Sequence, residues 1–204
     1  MSYIVAEFAQ SFEGDVNLSK RLISIAKKCN ADAVKFQIFK PNELCTEDYI
    51  YHDLFESLYM KEDVWTEIID YANELELDFY TDIFGIETLE WIQNKKITGI
   101  KIHPTDLTNT FLLEKVRSSK IDNILLGIGG STLDEIEFAI NILSNKNLTL
   151  MSGFQAEPNV VEDVMLNRIN FIKDKFKGCK VGYADHIDAN SSISIDIPVI
   201  ASYL

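Results

Sequence analysis

Asp32-Ala33-Val34-Lys35-Phe36-Gln37 carries the reading of the fold. Its apolar residues run together rather than alternating with polar ones, as in a strand covered on both faces. Six further runs read the same way: Tyr3–Phe8, Leu77–Thr81, Thr98–His103, Asn123–Ile128, Leu148–Ser152 and Lys180–Ala184. Helix-period stripes lie between them, such as Leu18, Leu22, Ile23, Ile25 and Ala26, then Trp65, Ile68, Ile69 and Ala72. Ser131-Thr132 with Glu135 reads as a capping box opening a helix through Ile142. Another helical stretch covers Val160–Phe176, and the segment Ser191–Leu204 reads as a last helix.

Strict β-α alternation means a parallel sheet, either an open doubly wound sheet or a closed barrel. No Gly-x-Gly-x-x-Gly follows the first run, and polar residues follow many of the others, which favours the barrel. The expected fold class is therefore α/β, a TIM (β/α)8-type barrel with seven units visible and the eighth strand outside residues 1–204. An uncovered sheet edge invites pairing with another chain, so a homo-oligomer is expected.

At 204 residues, 47% apolar and 25% charged, the chain suits one globular domain. The net charge of −13 speaks against nucleic acid or an anionic membrane as partner. Neither a signal peptide nor a membrane-length apolar run is evident, and Cys29, Cys45 and Cys179 are scattered. These features lead to the expectation of a cytoplasmic protein.

Charged residues inside apolar strands are the informative ones. Lys35 and Lys101 each interrupt an apolar run, and a lysine is seldom buried without a partner. Three readings stay open: a structural salt bridge with Glu7 or Asp106, an anion clamp, or a Schiff-base amine. Other strand-end polar groups are Gln37, Thr81, Asp82, His103, Asp106, Asp185 and His186. His186 reads as a metal ligand, an acid–base group or a plain loop residue; His52 reads as facing solvent. Gly129-Gly130-Ser131 could cradle an anion or serve as ordinary loop.

Five motifs then resemble the N-acetylneuraminate (sialic acid) synthase family, in family order. They are Val5-Ala6-Glu7 with Glu13-Gly14-Asp15; Ala31 to Gln37; Lys101-Ile102 with Asp106-Leu107-Thr108-Asn109; Ser131 to Ile136; and Gly182 with Asp185-His186. The resemblance implies a barrel enzyme that condenses phosphoenolpyruvate with an N-acetylated amino sugar for surface carbohydrate biosynthesis. It implies Glu7, Asp106 and Asp185 as catalytic groups, and Lys35, Gln37, Thr81, Lys101, Gln155 and Glu157 as substrate contacts. It further implies a divalent metal such as Mn2+ with His186 as first ligand, the second ligand and an antifreeze-like domain lying beyond this chain. Family serines are replaced by Pro104, Gly127 and Ala184, and Glu157-Pro158 stands where Tyr-Pro is expected. A catalytically impaired sugar-binding or assembly subunit, or a synthase for another substrate, are the competing readings.

Overall fold

A computed structural model describes residues 2–153 and 156–204. The chain divides into two compact units, Met1–Lys101 with Ser118–Asp122, and Ile102–Arg117 with Asn123–Leu204.

In the first unit the order is β1 (Val5–Ala9), α1 (Val16–Lys28), β2 (Ala33–Gln37), α2 (Pro41–Leu44), α3 (His52–Leu58), α4 (Glu62–Glu74), β3 (Asp78–Asp82), α5 (Ile86–Ile92) and β4 (Gly99–Ile102). β1 pairs β2, β2 pairs β3, and β3 pairs β4, all parallel. The sequential order contains no reversal, which an open doubly wound sheet would need at its switch point. α1 starts at Asp15, whose carboxylate accepts the N–H of Asn17 at 2.7 Å and of Leu18 at 3.2 Å. The helix-covered face of this sheet is aromatic. Phe36 stacks on Phe79 with ring centroids 5.7 Å apart, and Trp65 meets Phe12 edge-on at 5.0 Å.

The second unit opens with a 3-10 turn, Pro104–Asp106, followed by α6 (Thr110–Ser118), β5 (Asn123–Gly127), α7 (Leu133–Ile142), β6 (Asn147–Ser152), a 3-10 turn at Val161–Asp163, α8 (Asn167–Lys175), β7 (Lys180–Tyr183) and α9 (Asp196–Ala201). Here β5 pairs β6 and β6 pairs β7, again parallel. Thr132 and Glu135 form the expected capping box at the start of α7. Buried Leu126, Leu150, Ile136 and Ile172 supply the apolar faces of this unit.

All seven expected strands are present to within about two residues, so the fold is α/β with the element order of a TIM-like barrel. Several details differ from the sequence reading. The stretch from Val160 is a 3-10 turn, and its α-helix begins only at Asn167. The last helix is confined to Asp196–Ala201. Ile25, placed in the apolar stripe of α1, is 54% exposed, because the buried positions are Ser19, Ile23 and Ala26. His52 is partly covered and lies 3.9 Å from both Asp53 and Glu56. The three cysteines are free thiols. No helix among the described residues is long and apolar enough to cross a membrane.

Candidate functional site

Strand parity builds a charged cluster in the first unit. Phe36 and Phe79 point to the helices, so Lys35 on β2, with Tyr80 and Asp82 on β3, points to the opposite face. Register places Glu7 beside Lys35 and Asp82 beside Lys101. The result is an ionic quartet drawn from the first four strands.

Glu7 Oε2 lies 2.5 Å from Lys35 Nζ, and Lys35 also donates to Asp82 Oδ2. Asp82 Oδ1 lies 3.7 Å from Lys101 Nζ. The other Glu7 oxygen, Oε1, accepts the Ala9 N–H at 2.8 Å. Ala9 has φ of 45°, and the β1–β2 register shifts between Glu7 and Ala9. Glu7 therefore holds a bulge in its own strand while it pairs with the neighbouring one.

Exposure separates the members. Asp82 is 0% exposed, Lys35 4% and Lys101 14%, while Glu7 is 44% exposed. Burial by itself pushes the Lys35 ammonium down, but the Asp82 and Glu7 carboxylates outweigh it and leave the group above the usual lysine range. Lys101 goes the other way. Burial first, then the Lys35 charge, hold it below the usual range against the pull of Asp82 and Glu7. Two ammonium groups thus meet two carboxylates, a quartet with no formal net charge.

Of the salt-bridge partners the sequence suggested for the lysines, Glu7 is one; the second carboxylate is Asp82 on β3. The sequence showed Asp82 at a strand end without a role. The available signal was a carboxylate closing an apolar run two positions after Tyr80; its pairing with Lys101 follows from register. Thr81 sits on the other face, fully buried; its hydroxyl accepts the Ile38 N–H at 3.1 Å and donates to the Asp82 carbonyl at 2.9 Å. Gln37 ends β2 in register with Asp82.

The remaining candidates belong to the second unit. Asp106 ends the 3-10 turn after β4, where its Oδ1 accepts from Asn109 Nδ2 at 2.9 Å. Asp185 follows β7; its Oδ1 accepts from the Tyr183 hydroxyl at 3.1 Å and the Ile187 N–H at 3.4 Å. Burial and the Asp185 charge push the Tyr183 phenol up. His186 lends its carbonyl to the Asn159 N–H at 2.8 Å, beside a parallel bridge between Asn159 and Ile187. Glu157 is exposed, and Gln155 lies outside the described residues. The Gly129-Gly130-Ser131 loop turns at Gly130, with φ of 73°. Arg168, which the sequence reading did not single out, donates to the carbonyls of Ile128 and Ser131 there, each at 3.3 Å.

The described residues do not by themselves fit a manganese site. No group of three His, Cys, Asp or Glu side chains converges among them. His186 has Asp185 as its sequence neighbour, and that carboxylate is already held by Tyr183 and Ile187.

A model of the NeuB family matches residues 22–202. An uncharacterised protein of Methanocaldococcus jannaschii is 31% identical over 98% of this chain and 58% of its own length. N,N'-diacetyllegionaminic acid synthase of Campylobacter jejuni is 31% identical over 90% of this chain and 60% of its own length. Among solved structures, the sialic acid synthetase of Leptospira borgpetersenii in complex with citrate superposes with a TM-score of 0.89 at 25% identity. That match covers 98% of this chain and 68% of the Leptospira chain. The chain spans about three-fifths of the length of the curated relatives it matches.

Proposed function

The chain belongs to the NeuB family, and from that premise we propose that it serves nonulosonate biosynthesis as the catalytic half of a phosphoenolpyruvate-condensing synthase. The observation that carries the reading is the quartet of Glu7, Lys35, Asp82 and Lys101 on four adjacent strands. Relatives named N,N'-diacetyllegionaminic acid synthase, N-acetylneuraminate-9-phosphate synthase and pseudaminic acid synthase support the reaction class. A cytoplasmic location accompanies that reading.

In this reading carbon 3 of phosphoenolpyruvate attacks the carbonyl carbon of an open-chain N-acetylated amino sugar. Water adds at carbon 2, and the bond from carbon 2 to the phosphate oxygen breaks. The products are an α-keto acid and phosphate. Lys101, the more exposed lysine with the longer ion pair, offers its ammonium to the anionic substrate. Lys35, closed between two carboxylates, fixes Glu7 and Asp82 in place. Glu7 has the exposure to accept a proton or bind a sugar hydroxyl. The family resemblance implies catalytic roles for Asp106 and Asp185, substrate contacts for Gln37, Gln155 and Glu157, and a phosphoenolpyruvate contact for Thr81. Each is tested by its own substitution. The divalent metal that the family resemblance implies would polarise the sugar carbonyl, but the described residues do not by themselves make its site.

A second reading has its own support. The quartet carries no net positive charge to attract a dianion, and Pro104 and Gly127 offer no hydroxyls where the family resemblance expects serines. Both features favour a sugar-binding or assembly subunit with impaired catalysis. One experiment separates the two: titration with phosphoenolpyruvate followed by the thermal midpoint. Saturable stabilisation that disappears in Lys101→Met supports the synthase. An unmoved midpoint with phosphoenolpyruvate, but stabilisation by N-acetylmannosamine, supports the binding subunit.

A further inference from the structure

The helix α3 has no buried residue, although its sequence offers Leu54 and Phe55. Ile50 just before it is 80% exposed and Leu54 50%, with Tyr49, Tyr51 and Tyr59 exposed beside them. These side chains are nevertheless anchored. Phe39 is buried, and the Phe55 ring meets it edge-on with centroids 5.9 Å apart. Tyr49 stacks flat on Phe55 at 6.3 Å, and Tyr51 meets Tyr49 edge-on at 5.6 Å. An aromatic ladder thus climbs from the core and presents its last rungs to solvent. Backbone bonds fix the turn that carries it: the Tyr49 N–H donates to the Thr46 carbonyl at 3.0 Å, and the His52 N–H to the Tyr49 carbonyl at 2.9 Å. Contiguous exposed apolar side chains mark interaction surfaces, and rigid ones lose little entropy on contact.

Charge decides what this surface takes. Residues 46–59 carry Glu47, Asp48, Asp53 and Glu56 and no lysine or arginine. All four carboxylates belong to exposed residues. A second copy meeting the first through the same patch would set like charges against each other, on a chain of net charge −13. An anionic membrane is repelled for the same reason. Acidity alone is not the feature. The helix α4 lines a groove with Asp63, Glu67, Asp70 and Glu74, but it exposes no large apolar side chain.

We propose that residues 46–59 form a docking platform for a lysine- or arginine-bearing amphipathic helix of another protein. Ile50, Tyr51 and Leu54 take its apolar side chains, and the four carboxylates meet its cationic rim. No member of the ionic quartet lies in this stretch, so the contact is independent of the synthase reading.

The test uses the intact chain and a dye-labelled leucine–lysine peptide that folds as an amphipathic helix, followed by fluorescence anisotropy. Saturable binding is expected, roughly tenfold weaker in the pair Ile50→Ser with Leu54→Ser. The pair Asp53→Asn with Glu56→Gln should weaken it about threefold and reduce its salt dependence. The pair Asp70→Asn with Glu74→Gln, on α4, should leave it unchanged. Every substituted side chain is exposed, and unaltered unfolding midpoints check that the fold is kept. Absence of binding, equal weakening by the α4 pair, or equal binding of the peptide with glutamate for lysine overturns the proposal. So does a dimer seen by sedimentation that the Ile50 and Leu54 pair abolishes, which would assign the platform to a second copy. Binding to phosphatidylcholine vesicles that the same pair abolishes would assign it to a lipid surface, and overturns the proposal as well.

Discussion

Pro104 and Gly127 occupy each other's space: a Cβ built on Gly127 would stand 2.7 Å from Pro104 Cδ. Both stand where the family resemblance leads one to expect serine. The two departures are therefore one event in packing terms. With proline at 104, position 127 has no room for any side chain. The expected outcome is that Gly127→Ser costs about 1–3 kcal/mol by overpacking, and that most of the loss is recovered when Pro104→Ser is added. Urea midpoints for the two single variants and the double variant close the cycle. Additive losses would show that the contact carries no coupling.

The buried carboxylate of the quartet matters more than the exposed one. Asp82→Asn leaves Lys35, at 4% exposure, with only Glu7 as counter-ion, and is expected to destabilise by about 3–5 kcal/mol. Glu7→Gln acts at a 44% exposed side chain, where solvent screens the charge, and is expected to cost about 1 kcal/mol or less. Denaturant unfolding of both variants checks the order; a larger loss for Glu7→Gln would contradict it.

The two lysines pull stability in opposite directions as pH rises. Lys101 is held below the ordinary lysine value of 10.5, so above its folded-state pKa the unfolded chain binds more protons, and stability climbs with pH until about 10.5. Lys35 is held above 10.5, so its contribution is present below that value and is lost as pH passes its higher folded-state pKa. Lys101→Met is expected to flatten the climb on the alkaline side of neutrality and leave the later fall in place. Chemical denaturation at a series of pH values, against the unsubstituted chain, reads the difference.

Glu43 at the end of α2 acts as a cap for α5. Its carboxylate accepts the Glu87 N–H at 2.7 Å, the Thr88 N–H at 3.3 Å and the Thr88 hydroxyl. The approach is possible because residue 85 is glycine, where a Cβ would meet Glu43 Oε1 at 2.2 Å. Glu43→Ala is expected to cost about 1–2 kcal/mol and to speed amide exchange at Glu87 and Thr88. Gly85→Ala should cost a similar amount, because it displaces the same carboxylate, and the two should be far from additive. Additive losses would separate the glycine from the cap.

How far the sequence went depended on whether a signal was local. The strands are local: Ala33-Val34 with Phe36, or Leu148 with Leu150 and Met151, announce themselves as largely apolar runs, and every expected strand came out within about two residues of its run. The Thr132–Glu135 box is local too. Glu7, Lys35 and Lys101 were visible because charge inside an apolar strand is costly. Who pairs with whom was not visible, because it follows from sheet register. Asp82 pairs with Lys35 across two strands by sharing its face, while Thr81, one residue away, looks the other way. The start of α8 was misplaced for a similar reason. Val160 and Val164 fit a helical stripe, but the chain between them closes in a 3-10 turn, and Val164 is buried without belonging to the α-helix.

All four ionic partners of the quartet, from Glu7 to Lys101, are encoded before residue 102, within the first compact unit. A ribosome delivers that stretch ahead of nearly all of the second unit, and domains tend to fold as they emerge, N-terminal part first. The buried lysine can thus acquire both counter-charges while translation is still under way. It need not wait, exposed and uncompensated, for the rest of the polypeptide.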